Sequence, residues 1–175
     1  MTRISAVGMV RNEADIVESF VRHTLMFVDE VRLVDHLSTD RTPEILEQLQ
    51  GEGLPLQVER YTGNACIQEI LTTRLAQEAF EAGAEWVIPL DCDEFIDVPD
   101  SRKFREALAE LGSERIAWWP WISMVPGSAD NDIEIDPARR IGNRLATERE
   151  ITSKCLVHKG IADVRGWQFA PGNHH

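Results

Sequence analysis

The chain opens with an unbroken apolar run, "ISAVGMV" (residues 4–10), rich in β-branched residues, that ends abruptly at the polar "RNEAD". The next apolar positions, Ile16, Val17, Phe20, Val21 and Leu25, recur every three or four residues, which is the period of an amphipathic helix. Strand, polar turn, helix is the first unit, and the plan repeats. "EVRLVDHLSTDRT" predicts a strand through Val34, a polar loop from Asp35 and a helix from about Thr42, with Pro43 in its first turn and Ile45, Leu46 and Leu49 on one face. "GEGLP" stops that helix. "LQVERY" reads as a third strand, and a long helical pattern from about Ala65 to Ala82, capped by Gly83, leads into a fourth strand, "EWVIPL".

Strands that alternate with helices must pair in parallel through right-handed crossovers, which places helices on both faces. The expected fold class is therefore α/β, with an open, mainly parallel, doubly wound sheet. In such sheets ligands bind outside the carboxyl ends of the strands, near the switch in strand order. The polar clusters "RNEAD", "DHLSTD", "YTGN" and "DCDEF" follow the four strands in turn, so loops distant in sequence converge on one edge. Beyond Pro99 the pattern loosens. "SRKFREALAELG" is an amphipathic helix with Ser101 as its expected cap, "RIAWWPWISMV" is a strand-like aromatic run interrupted by Pro120, and "GSADNDIEIDP" reads as an exposed loop or hairpin. With no repeat and no linker, the 175 residues read as one domain with a less regular C-terminal third.

Charge narrows the partners. Thirty acids against 18 bases give a net charge of -12, which argues against binding a nucleic-acid backbone or an anionic membrane surface. A phosphorylated ligand stays open, because a divalent cation held by carboxylates reverses the local field. Three cysteines, Cys66, Cys92 and Cys155, form no short metal-binding spacing and no even-numbered disulfide framework. No secretory leader or membrane span is evident, and a cytoplasmic location is expected.

The sharpest chemical signal is "WVIPLDCDEFIDVP" (residues 86–99), where an apolar strand runs into Asp91, Asp93 and Glu94. On an extended segment, two carboxylates two residues apart point the same way, so Asp91 and Asp93 can approach one cation. Oxygen donors favour Mg2+ or Mn2+, which keep several waters and complete their shell with phosphate oxygens. The competing account is a solvated acidic loop with no ligand.

Three stretches, "VRNEADIVESFVRH" (residues 10–23), "VDHLSTDRTPEIL" (34–46) and "IPLDCDEFIDV" (88–98), fall in an order and spacing that resembles a family 2-like glycosyltransferase with the A-type fold. The resemblance covers roughly the first hundred residues. It implies a nucleotide-sugar-binding half over residues 1–99 and an acceptor-side part over residues 100–175. It implies that the first loop and the acid ending the second strand hold the nucleoside, which points to Val10, Asn12, Glu13 and Asp35, with Arg74 as a basic residue facing the nucleotide. Helix capping is the alternative role for Asn12 and Glu13, and a surface position the alternative for Arg74; Ser38 and Asp40 are read as caps of the second helix. Within "DCDEF" the resemblance assigns Asp91 to the ribose or a water-mediated metal contact, Asp93 to direct coordination and Glu94 to their support.

A late histidine often completes the metal shell in such enzymes, so His174 is the implied third ligand and His158 the reserve; a terminal His-His is also what an expression remnant leaves. The general base of an inverting transfer falls in the last third, where Asp132 and Glu134 lead a set that includes Asp130, Asp136, Glu148 and Glu150. "AWWPW" (residues 117–121) offers aromatic surface either to a sugar or to the core. Such enzymes are usually longer, so the resemblance implies that part of the acceptor side lies outside these residues. The expected function is metal-dependent transfer of a sugar from a UDP- or GDP-sugar to a hydroxyl acceptor. The rivals are a nucleotidyltransferase, which calls for a Gly-rich basic first loop where this chain has "GMVRNEAD", and a nucleotide-sugar-binding module without turnover.

Overall fold

A computed structural model describes residues 2–63, 67–112, 114–127, 134, 137–145 and 153–170. Its first half follows the predicted alternation: β1 (Ile4–Val10), α1 (Val17–Thr24), β2 (Glu30–His36), α2 (Thr42–Gly51), β3 (Leu56–Tyr61), α3 (Gln68–Glu81) and β4 (Trp86–Pro89). Then come α4 (Ser101–Glu110), the strands β5 (Ile116–Pro120) and β6 (Met124–Val125), the short α5 (Pro137–Arg140), β7 (Asn143–Arg144) and β8 (Ser153–His158). A 3-10 turn over Lys159–Asp163 follows β8.

The principal sheet has the order β3-β2-β1-β4-β8-β5, and β6 pairs with β7 separately. Contacts β3·β2, β2·β1 and β1·β4 are parallel, so the fold is α/β with a mostly parallel six-stranded sheet. The two strands beyond β4 run antiparallel: β8 returns from the C-terminal third and inserts between β4 and β5. Strand order reverses between β1 and β4, which fixes the switch point there.

Side-chain alternation splits the core into two layers. Ala6 and Ile88 face Phe20, Leu46, Leu49 and Phe104, so α1, α2 and α4 cover one face of the sheet. Val7 and Val87 face Leu71, Leu75, Ala76 and Ala79 of α3 on the other. β1 and β2 are buried along nearly their whole length, as strands covered on both faces must be. β5 is one of the two edge strands, with alternating exposure, and Pro120 at its end needs no ladder donor.

Local differences from the sequence reading have identifiable causes. Asp35 does not begin a loop; it is the sixth residue of β2, held in ladder register with Val10 and Arg60. Helix α4 is capped by Asp100, whose carboxylate accepts the Lys103 N–H at 2.8 Å, and not by Ser101, which is its first helical residue. Gly83 does end α3, with φ 97° and its N–H donating to the Phe80 carbonyl at 2.9 Å.

Candidate functional site

At the carboxyl ends of β1 and β2, two loops are tied to each other by side chains. Asn12 adopts the left-handed conformation, φ 57°. Its N–H donates to Ser38 Oγ at 2.9 Å, and its Oδ1 accepts the Thr39 N–H at 2.8 Å. Glu13 N–H donates to Thr42 Oγ1 at 2.8 Å, and Ala14 N–H to Asp40 Oδ2 at 3.1 Å. Asp40 Oδ1 accepts from the Thr42 hydroxyl at 2.6 Å and the Thr42 N–H at 3.0 Å, so Asp40 serves the start of α2, and the Thr42 hydroxyl foremost holds its carboxyl below the usual range. Neither Asn12 nor Glu13 caps α1, which has no side-chain cap.

Asp35 lies buried between these loops, with Oδ1 accepting the Ser38 N–H at 3.3 Å and Oδ2 at 3.8 Å from Arg60 Nε. The Val10 side chain belongs to the core, so only its backbone is offered to a ligand. Next to Asp35, His36 is buried with Nε2 at 2.9 Å from the Gly63 carbonyl and its ring tilted against Tyr61 at 5.5 Å. Nothing in the sequence pattern singles out His36.

After β4 the acidic segment does not stay extended. Residues 91–94 form a turn, closed by Glu94 N–H donating to the Asp91 carbonyl at 3.0 Å and reciprocally by Asp91 N–H donating to Glu94 Oε2 at 2.9 Å. The premise that Asp91 and Asp93 point the same way along a strand is thereby overturned: Asp93 is exposed, Asp91 half-buried and Glu94 buried. Asp91 Oδ1 accepts from Gln68 Nε2 at 2.7 Å. Lys154, 6% exposed and carried by β8, places Nζ 3.0 Å from Asp91 Oδ2 and 2.9 Å from Glu94 Oε1. Lys154 escaped the sequence analysis because nothing local to "ITSKCLVH" distinguishes it; only the antiparallel insertion of β8 brings it to the end of β4.

Burial raises the Glu94 carboxyl above its ordinary range, against the lowering pull of the Asp91 N–H and Lys154. Glu13 is raised too, first by burial and then by Asp93, Asp15, Asp40 and Asp91, which places the first loop and the acidic turn within electrostatic reach of each other. Among the described residues no three His, Cys, Asp or Glu side chains gather as a ready metal cage. The oxygen donors present, an exposed Asp93 with Glu13 and Asp91 in its field, suit a hydrated hard cation that takes one or two protein carboxylates and finds its remaining ligands on phosphate.

A cleft of about 1210 Å3 opens beside the turn, lined by Phe95, Phe104, Trp119, Trp121 and Met124 together with Asp93 and Lys154. The "AWWPW" run thus divides its work. Trp119 is half-buried and packs on Phe104 at 5.5 Å, Trp121 faces the cleft, and Trp118 is 54% exposed.

Other expected residues lie elsewhere. Arg74 is held by Glu59 of β3 and by Glu78 at 2.7 Å, one turn along its own helix, so its described partners are ion pairs on the α3 face. His158 pairs in register with Trp86, at the start of β4 and hence at the far edge of the sheet from Asp91; its Nδ1 accepts the Gly160 N–H at 3.2 Å, and a metal shell at the turn is out of its reach. Glu134 is half-buried in irregular backbone. Asp132, with Asp130, Asp136, Glu148 and Glu150, lies outside the described residues, as does His174.

No family model matches the chain, and no curated protein does. Solved structures do. A mannosyltransferase from Pyrobaculum calidifontis, solved with GDP-Man and Mn2+, superposes with a TM-score of 0.50 at 20% identity over 71% of this chain. The chain spans 36% of that protein's length. A 4-diphosphocytidyl-2C-methyl-D-erythritol synthase from Anaerococcus prevotii gives 0.53 at 12% identity, covering 91% of this chain and 71% of that one. At these identities the likeness is one of fold: the chain shares with both the α/β architecture of a mostly parallel sheet flanked by helices.

Proposed function

We propose that the chain is a metal-dependent glycosyltransferase, similar to the family 2-like enzymes, that moves a sugar from a UDP- or GDP-sugar to a hydroxyl acceptor with inversion. The observation that carries this reading is the position of the exposed Asp93, on the turn that follows β4 at the switch point, within the electrostatic reach of Glu13 and beside the tied loops of β1 and β2. An open α/β sheet binds its ligand at that place.

In this reading Asp35, buried at the end of β2, accepts an N–H of the nucleobase or a ribose hydroxyl, and the backbone from Val10 to Asn12 lines the nucleoside. Mg2+ or Mn2+ on Asp93 would supply Lewis-acid neutralisation of the departing diphosphate. The aromatic cleft receives the acceptor, because ring faces match the C–H faces of a sugar and leave its hydroxyls free for polar partners. The general base belongs to the last third of the chain.

A nucleotidyltransferase would use the same fold, since function resides in the site and not in the architecture. Its Gly-rich cradle has no counterpart in "GMVRNEAD". A binder without turnover is separated from an enzyme by donor hydrolysis in the presence of metal. The deciding experiment is calorimetric titration of UDP and of GDP with and without Mn2+ into the native chain and an Asp93→Ala variant. Metal-dependent binding lost in the variant supports the assignment and identifies the base; native protein that binds neither nucleotide under any condition refutes it.

A further inference from the structure

We propose that Lys154 is a fixed internal cation of the site: its ammonium occupies the place between Asp91 and Glu94 that a divalent ion would otherwise fill, and so limits the acidic turn to one external cation. The inference rests on the metal-dependent reading above and adds a residue that neither spacing nor resemblance brought forward.

Three observations carry it. First, Lys154 is almost wholly buried, and a buried ammonium persists only with close anionic partners; here they are Asp91 Oδ2 at 3.0 Å and Glu94 Oε1 at 2.9 Å. Second, the remaining oxygens of both carboxylates already accept hydrogen bonds from fixed donors, Gln68 Nε2 on Asp91 Oδ1 and the Asp91 N–H on Glu94 Oε2. A dication could reach either group only by displacing a donor and by standing against the Lys154 charge. Third, Asp93 is exposed and lines the same cleft that Lys154 helps to line. Three carboxylates and one ammonium leave two negative charges, which one divalent ion balances. Lys154 acts through Asp91 and Glu94, and is a positioning residue.

Removing the ammonium while keeping the acids tests this. Lys154→Met and Lys154→Gln are compared with Lys154→Arg, Asp93→Asn and native protein, by Mn2+ titration followed by electron paramagnetic resonance without nucleotide, and by thermal unfolding with and without Mn2+. The expected result is roughly tenfold tighter Mn2+ binding, or a second bound ion, in the Met and Gln variants, because one repelling charge is gone. Mn2+ should also restore much of their lost Tm, and Lys154→Arg should resemble the native chain. A purely structural lysine would leave variants whose lost Tm Mn2+ does not recover. Mn2+ affinity in Lys154→Met and Lys154→Gln that is equal to or weaker than native overturns the proposal. If Lys154→Met does not fold, Lys154→Gln, which keeps a donor without the charge, decides alone. Failure of the underlying reading looks different: native protein and every variant would then ignore Mn2+, and the proposal falls with it.

Discussion

Asn12 Oδ1 accepts the Thr39 N–H at 2.8 Å while Asn12 N–H donates to Ser38 Oγ at 2.9 Å, so one residue in a left-handed conformation fastens the loop after β1 to the loop after β2. Asparagine tolerates positive φ better than other residues with a side chain and brings the acceptor as well. Asn12→Ala should destabilise the chain by about 0.5–2 kcal/mol, since it removes an exposed hydrogen bond that water replaces only in part and leaves a residue with a Cβ at positive φ. Asn12→Gly relieves the backbone and isolates the loss of the hydrogen bond, so it should cost less. Urea unfolding of the three proteins orders them, and equal stability of all three would show that the link is idle.

Gly8 is the one glycine in the four parallel strands, and a Cβ built there collides with the Leu90 carbonyl oxygen. Leu90 in turn donates its N–H to the Val7 carbonyl at 2.9 Å and leads directly into the acidic turn. Gly8→Ala therefore forces β1 away from the entry to that turn and should cost about 1–3 kcal/mol, the range for overpacking a closely packed core. Chemical denaturation measures it, and a neutral effect would contradict the tight approach.

Cys92 is buried in the acidic turn, and burial, followed by the carboxylates of Glu13, Asp93, Asp15 and Asp91, pushes its thiol far above the usual range. Reaction with iodoacetamide requires the thiolate. Native protein at pH 8 should therefore leave Cys92 unlabelled in peptide mass spectra, whereas unfolding in urea exposes it. Rapid labelling of the native chain at Cys92 would mean that the turn opens readily.

Asp100 caps α4 with its carboxylate on the Lys103 N–H, and that hydrogen bond, helped by the nearby Arg102 and Lys103 charges, lowers its pKa. A lowered carboxyl pKa contributes stability that is present above the unfolded value and lost as pH falls through the folded one. Asp100→Ala should lower Tm by roughly 2–4 °C at neutral pH, and the gap should close as the pH falls below about 4, through the lowered folded-state pKa. A gap that persists unchanged at the acid end would assign the loss to packing and not to the cap.

The sequence by itself determined the order of elements and the sheet edge on which their polar loops gather. Short apolar, β-branched runs mark β1 to β4, whereas a period of three to four residues marks α1 to α3, and Gly83 ends α3 by a local conformational requirement that needs no tertiary context. Alternation then dictates parallel pairing, and parallel pairing puts "RNEAD", "DHLSTD" and "DCDEF" on one edge. What the tertiary structure alone decided lies in contacts between residues far apart in the chain. The 63-residue separation of Lys154 from Asp91 is bridged because β8 runs antiparallel beside β4, and the same register sends His158 to the opposite edge, away from any metal at the turn. The cross-loop bonds of Asn12, Ser38, Asp40 and Thr42 are equally silent in sequence, where Ser38 and Asp40 read as caps of the second helix, Thr42 as its start and Asn12 as a nucleoside contact or a cap. Periodicity records which face a residue presents, whereas the partner it meets there is fixed by strand order and register, and those emerge only when the whole sheet assembles.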